Sequence, residues 1–469
     1  MGSTNADHQP KAIQLQFALP GTTIVLGFTG SLGSGCTEIA KGVAEHQHFL
    51  YWSLSQPLRE ALLEDGVNDP SIAQMQARGN EMRRIEGPDI LAEKALQFAD
   101  DRCRQDPNKY NGIVLDGIRN IGEVNTLRSF PNFFLFSVQA DTDERYRRLN
   151  KNGRVKSRDE FDRIDQRDFK ESLAYGQQVQ ECNYAADAII NNDEEIPSKA
   201  TLEKANYIRV KFVNKYMSLI QGLIGSGPTY ENNPSLGEVF MTMAYCESRF
   251  SKCLKRKVGA VIAQIETERE VGHIVSSGHN DVPKGQKPCV FASDLDGCAR
   301  DKSSEGTAKS VNNCPFCGFE IKKSFTCAYC SSSLTEFRKT CPSCGQDPAI
   351  QCFCQNTNCR SAKEHIDLYA YLLSIGGGKL LDICRSIHAE QNAIMRLGKI
   401  RTIQGRIVLY TTTFPCSVCA NIIAESGITE VVYAEPYTMK MAKEILEKAD
   451  IKLKRFEGVK SSAFFRLYR

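Results

Sequence analysis

The stretch Thr22–Ala40, TTIVLGFTGSLGSGCTEIA, decides the first half of the fold. Its opening residues, TTIVLGF, are β-branched and apolar, the composition of a strand buried on both faces. Glycines at 30, 33 and 35 then mark a tight turn, and EIAKGVAEHQ continues as a helix. The spacing from Gly30 to Thr37 is G-x-x-x-x-G-K-[ST], with Cys36 where lysine belongs. In such a loop, backbone N–H groups at a helix N-terminus point at a phosphate. Gly30, Gly33, Ser34, Gly35, Cys36 and Thr37 are the expected nucleotide-binding loop, with Thr37 placed to meet Mg²⁺. A neutral thiol cannot replace the lysine charge that follows the β and γ oxygens during phosphoryl transfer. Three readings stand: a loop that binds nucleotide without transferring phosphate, a kinase whose cation comes from Arg119 or from 147–158, and a degenerate loop.

Outward from this stretch, the same pattern repeats. NGIVLDGIRN (111–120), NFFLFSVQAD (132–141) and AADAIINND (185–193) read as further buried strands separated by helical segments. Asp116 stands at the end of the first of them. Such βαβ alternation predicts a doubly wound parallel sheet over 22–197, after a flexible tail at 1–21. Residues 198–235 read as a long amphipathic helix and a turn-rich linker. A second α/β unit spans 236–469, with KVGAVIAQIE and HIVSSGHND as adjacent strands, and 285–365 interrupts it as an insertion.

Composition narrows the function class. The 469 residues carry 59 basic and 56 acidic side chains, a net charge of +3, too small to argue for nucleic acid or membrane. The N-terminal sequence lacks an apolar core of a secretory signal, and no run of 18 apolar residues occurs, so a cytoplasmic protein without membrane contact is expected. The 19 cysteines are uneven: three precede residue 240 and nine fall between 314 and 359. In a reducing compartment such clustering reads as metal ligation.

SIHAEQNAI places His388 and Glu390 as H-x-E, and TTTFPCSVCANII places Pro415, Cys416 and Cys419 as P-C-x-x-C. This is the zinc nucleobase-deaminase signature. One imidazole and two thiolates leave a fourth tetrahedral position for water, and Glu390, two residues after the histidine, can shuttle protons without ligating the metal. In the insertion, Cys314/Cys317 with Cys327/Cys330, and Cys341/Cys344 with Cys354/Cys359, repeat a spacing that suits two closed zinc ribbons; Cys352 is an alternative to Cys354. The expected metals are one catalytic and two structural zinc ions.

The pieces VGAVI, SSGHNDVPKG, HAEQNAI, FPCSVCANII and VVYAEPY resemble deoxycytidylate deaminase. The resemblance implies substrate contacts at Asn280 and Ala389, a deoxyribose-stacking ring at Tyr437, and phosphate contacts in the basic segment that includes Arg249 and Lys252. QARGNEMRR, IVLDGIRN and the basic stretch 145–168 make residues 22–195 resemble nucleoside-monophosphate and dephospho-coenzyme A kinases. The expected fold is thus α/β throughout: a P-loop kinase-like doubly wound parallel sheet, then a cytidine-deaminase-like α/β/α domain with a zinc-ribbon insertion. The combination resembles the bacterial anti-phage deoxycytidine-nucleotide deaminases. It implies deamination of dCTP or dCMP, a regulatory nucleotide with or without Mg²⁺, a homo-oligomer and a small inhibitory RNA. A housekeeping dCMP deaminase and a cytosine deaminase of nucleic acid are the alternatives.

Overall fold

The glycine turn joins β1 (Ile24–Thr29) to α1 (Cys36–Gln47). There follow β2 (Leu50–Ser53), α2 (Gln56–Glu64), α3 (Ile72–Glu86), α4 (Ile90–Gln105), β3 (Gly112–Ile118), α5 (Ile121–Leu127), β4 (Phe133–Gln139), α6 (Thr142–Lys151), α7 (Arg158–Phe169), α8 (Val179–Ala185) and β5 (Ala188–Asn191). The five strands run parallel in the order β5-β4-β1-β3-β2. Alternation along β1 sends Val25 to one face and Leu26 and Phe28 to the other. Val25 packs in a core with Leu91 and Leu96 of α4, whereas Leu26 and Phe28 pack with Ile39 and Val43 of α1. Helix starts follow their sequence signals: Ser71 and Gln74 form a capping box before α3, and Asn120 and Glu123 form one before α5.

The structure, a computed structural model, describes residues 23–106, 109–169, 175–193, 216–223, 234–254, 256–266, 271–291, 298, 325–327, 333–334, 350–351, 384–398, 405–436, 440–460 and 463–464. Of the long helix expected at 198–224, residues 216–223 are described and helical; Tyr216, Met217 and Ile220 bury themselves in the α1-side core.

The second sheet contains β6 (Gly259–Glu266) and β7 (Val271–His279), preceded by α9 (Leu236–Ser248). Within the expected insertion, β8 (Phe325–Cys327), β9 (Ser333–Leu334) and β10 (Ile350–Gln351) form a small antiparallel sheet. Then come α10 (Ala389–Leu397), β11 (Arg406–Thr413), α11 (Ser417–Ser426), β12 (Glu430–Glu435), α12 (Lys440–Lys448), β13 (Lys452–Arg455) and β14 (Gly458–Val459). The larger sheet has the order β13-β12-β11-β6-β7, with β11, β12 and β13 parallel. β14 leaves that sheet and adds antiparallel to β5, as the sixth strand of the first sheet.

By contacts the chain divides into two compact units, Met1–Cys246 with Val261–Ser276 and Lys399–Arg469, and Glu247–Ala260 with Ser277–Gly398. Among the described residues no helix is long and apolar enough to cross a membrane.

Candidate functional site

Gly33 and Gly35 sit at φ of +80° and +86°, the left-handed region that side chains disfavour. A Cβ on Gly35 would also collide with the Asn192 amide, whose Nδ2 donates to the Ser34 carbonyl at 2.7 Å. Asp116, 2% exposed at the end of β3, receives three donors from around the loop: Thr37 Oγ1 at 2.8 Å, Tyr51 hydroxyl at 3.1 Å and Cys36 Sγ at 3.3 Å. Burial first, and the Asp116 charge second, push the Cys36 thiol well up, so it stays protonated. The loop opens onto a cavity of about 400 Å³.

Arginines surround this cavity. Arg119 pairs with the fully buried Asp168, whose other oxygen accepts from Leu32 N at 3.2 Å. Arg148 bonds Glu144 at 2.6 Å and the Asn192 carbonyl at 2.8 Å. Arg59 and Arg154 also line the cavity and are exposed. Sequence reasoning missed Tyr51, Asp168 and Asn192. The last carries one legible signal, an Asn-Asn-Asp stop after an apolar strand, which sets its amide beside the loop.

Asn192 begins a chain of contacts within the first unit. Its neighbour Asn191 takes its backbone N–H to Glu457 Oε1 at 3.2 Å and its amide to the Phe456 carbonyl at 3.0 Å. Arg455 bonds Asp193 at 2.7 Å, and Phe456 N donates to the Tyr433 carbonyl at 2.7 Å. Tyr433 packs edge-on against Phe414, with centroids 4.8 Å apart, two residues before Cys416.

The second constellation is built at two helix N-termini. His388 precedes α10, and its backbone N–H donates to Gln391 Oε1 at 2.9 Å. Glu390 lies in the first turn of α10 and is 4% exposed. Cys416 is the N-cap of α11, its Sγ accepting from the Cys419 N–H at 3.5 Å, and Cys419 is fully buried. A thiol at a helix N-terminus gains from the positive end of the dipole, which favours thiolate. One ligand atom each from His388, Cys416 and Cys419 lie within 4.8 Å of one another.

The neighbourhood of His388 and Asn280 is pinned by a short bridge. Asp281 N donates to the Ile387 carbonyl at 3.1 Å, and Ile387 N to the Asp281 carbonyl at 2.7 Å. Both ends of the Asn280 amide bond backbone: Oδ1 accepts from Val258 N at 2.8 Å, and Nδ2 donates to the Arg256 carbonyl at 2.9 Å. The His279 carbonyl accepts from Asn392 Nδ2 of α10 at 2.8 Å, and His279 Nδ1 lies 3.0 Å from Glu247. Burial opposes ionisation of Glu247, but hydrogen bonds from Ser277 and His279 outweigh it and hold the carboxyl below its ordinary range.

Gly278 lets α10 lie directly on the end of β7. A Cβ there would stand 2.6 Å from Ala393 N and 2.7 Å from the Ala389 carbonyl. Gly278→Ala is therefore expected to push back the helix that carries Glu390, at a cost of about 1–3 kcal/mol for overpacking. Thermal unfolding and zinc content of the purified variant check it; a wild-type Tm with wild-type metal content contradicts it.

Of the remaining expected contacts, Ala389 is fully buried, Lys252 is exposed with Nζ 5.0 Å from the Phe291 ring centre, and Arg249 is exposed. Tyr437 lies outside the described residues, as do Cys314, Cys317, Cys330, Cys341, Cys344, Cys354 and Cys359. Cys327 is placed only as the end of β8.

Residues 234–435 match a family model described as the cytidine and deoxycytidylate deaminase zinc-binding region. His388, Glu390, Cys416 and Cys419 all fall within the matched residues. The chain is similar to the deoxycytidylate deaminase of Schizosaccharomyces pombe, 24% identical over 232 residues, which cover 49% of this chain and 47% of that protein. It is 26% identical to the deoxycytidylate deaminase of Enterobacteria phage T2 over 197 residues, 42% of this chain and 78% of the phage protein. A UPF0200 protein of Methanosarcina acetivorans is 26% identical over 181 residues, 38% of this chain and 88% of that protein. The chain thus spans about half the length of the fission-yeast relative.

Proposed function

We propose that the deaminase domain hydrolyses the exocyclic amine of a free deoxycytidine nucleotide, dCMP or dCTP, to give ammonia and the uracil nucleotide. The observation that carries this reading is the meeting of His388, Cys416 and Cys419 beside the first turn that holds the buried carboxyl of Glu390. One imidazole and two thiols fit zinc in a site with an open position, the donor count of catalytic rather than structural zinc. Bound there, zinc supplies the Lewis acidity that lowers the pKa of water towards about 7. Glu390 then carries the proton of the attacking water to N3 and a second proton to the departing amine, leaving oxygen at C4. Asn280, Ala389 and Tyr437 are the proposed nucleoside contacts, and Arg249 and Lys252 the proposed phosphate contacts. Two further zinc ions are proposed in the ribbon cysteines.

Zinc-loaded full-length protein incubated with dCMP, dCTP and a cytosine oligonucleotide, read by mass spectrometry, tests the reading. Conversion of a free nucleotide is expected. Turnover of the oligonucleotide alone, or of nothing with ATP, dTTP and dGTP also present, overturns it.

For the N-terminal part we propose nucleotide binding without phosphoryl transfer. The left-handed glycines, the Thr37–Asp116 pair and the cavity support binding, and a protonated Cys36 in the lysine position argues against transfer. We propose further that the bound nucleotide sets the deaminase rate. The contacts from Ser34 through Asn192, Phe456 and Tyr433 to Phe414 support this, because they tie the loop to the strand that leads into Cys416. Couplings of this kind typically span about 5–150-fold. Asn192→Ala is expected to flatten the ratio of rates with and without ATP, dTTP or dGTP; an unaltered ratio for an effective nucleotide contradicts the coupling. By resemblance to the anti-phage enzymes, the proposal extends to defence through depletion of dCTP, a homo-oligomer and a small RNA inhibitor.

A further inference from the structure

Both backbone polar groups of Leu32, inside the glycine loop, are tied to α7. Its N–H donates to Asp168 Oδ2 at 3.2 Å. Its carbonyl accepts from Arg145 Nη1 at 3.1 Å, and Nη2 of that arginine donates to Asp165 Oδ2 at 3.0 Å. Asp165 and Asp168 stand about one turn apart on α7, with Asp168 one residue from its end. The Leu32 side chain packs on a small core of Ile72, Leu149, Val155 and Phe161, the last also from α7. Asp168 has no exposed surface. Its other oxygen pairs with Arg119, whose side chain is 27% exposed and lines the 400 Å³ cavity. A loop N–H beside a guanidinium is a donor set for a phosphate oxygen. Here a carboxylate of the chain itself takes that set. Burial above all, with the nearby charge of Asp165, holds the Asp168 carboxyl above its ordinary range in spite of Arg119.

We propose that Asp168 is a built-in plug of the loop: its carboxylate stands in for a phosphate oxygen on Leu32 N and Arg119, and a nucleoside triphosphate enters by displacing it. The proposal rests on the reading of the loop as a nucleotide site. Two anions cannot share one N–H and one guanidinium, and their repulsion is large where the walls exclude water, as Leu54, Leu58 and Leu91 do on this cavity. Displacement frees Arg119 for the incoming phosphates and releases the Leu32 N–H. The ties through Arg145 and Phe161 keep the rest of α7 attached, so the end that carries Asp168 is the part that moves. A ligand shifts such an equilibrium only by its preference for the released state, so the wild-type affinity is lowered by the hold of the plug. The position of α7 then reports whether the loop is filled.

The test titrates ATP, dTTP and dGTP into full-length wild type, Asp168→Ala and Asp168→Asn by calorimetry. Alanine removes the plug; asparagine keeps its shape and an acceptor for Leu32 N but drops the charge. Both variants are expected to bind a triphosphate at least about 10-fold more tightly than wild type, whereas loss of a merely structural ion pair weakens binding or leaves it alone. Equal or weaker binding by folded variants overturns the plug and leaves the nucleotide reading standing. No binding by any folded protein of the three at millimolar nucleotide overturns both. Should the variants fail to fold, hydrogen exchange of the wild type decides. Exchange across 158–169 is expected to quicken when a bound nucleotide saturates the protein; unchanged or slower exchange there overturns the plug.

Discussion

Glu390→Gln is expected to lower deoxycytidine-nucleotide turnover by about 10²–10⁴-fold while leaving the zinc content of the protein unchanged. The residue is 4% exposed in the first turn of α10, and glutamine keeps its volume and its hydrogen-bonding reach. What glutamine cannot do is accept a proton from water and pass it on. A structural carboxylate would give a different result, with loss of metal or of folded protein alongside activity. Turnover by mass spectrometry, zinc by elemental analysis and thermal unfolding, measured on one preparation, separate the two. Near-normal turnover removes Glu390 from the chemistry.

Glu123→Ala is expected to destabilise the first sheet by about 3–5 kcal/mol, the cost of stranding one member of a buried ion pair. Glu123 is fully buried and Arg83 is 2% exposed. Glu123 Oε1 accepts from Arg83 Nε at 2.9 Å and Nη2 at 2.8 Å, and Oε2 accepts from the backbone N–H groups of Arg119 and Asn120 at 2.8 and 3.1 Å. Truncation would leave a guanidinium without its counter-charge and two amides without an acceptor. Chemical denaturation of the full chain measures the loss. A shift below about 1 kcal/mol would mean that water reaches the site, in conflict with its burial. The double variant Arg83→Met/Glu123→Leu is expected to recover much of the stability, since the uncompensated charge goes with its partner.

Much of the fold was legible in residue order. Apolar runs at 24–29, 112–118, 133–139 and 188–191 became the parallel strands, and glycines 33 and 35 became left-handed turns, because those features depend on local backbone preference and burial period. The pairs H-x-E and P-C-x-x-C were legible as well, since each sits within one turn of a helix start and its spacing carries the geometry. Contacts between distant segments were not legible. Nothing in GVKSS marks Gly458 and Val459 as a sixth strand for a sheet built from residues 24–191, since a two-residue strand has no period of its own. The close approach that Gly278 permits is equally silent, because the atoms it would strike belong to residues 389 and 393.

The sequence by itself determined the chemistry on offer: an imidazole, two thiols and a carboxyl at fixed helical spacing, and a glycine-rich loop with cysteine where a P-loop spacing has lysine. Covalent order suffices there, because each motif spans only a few bonds. The tertiary structure alone decided what those groups meet. It set Cys36 against Asp116 and laid Asn192, 158 residues away in sequence, against the Ser34 carbonyl of the loop. Burial and pairing across hundreds of residues are properties of the packed chain, where the cost of leaving a polar group unmatched is settled by whatever the fold brings beside it.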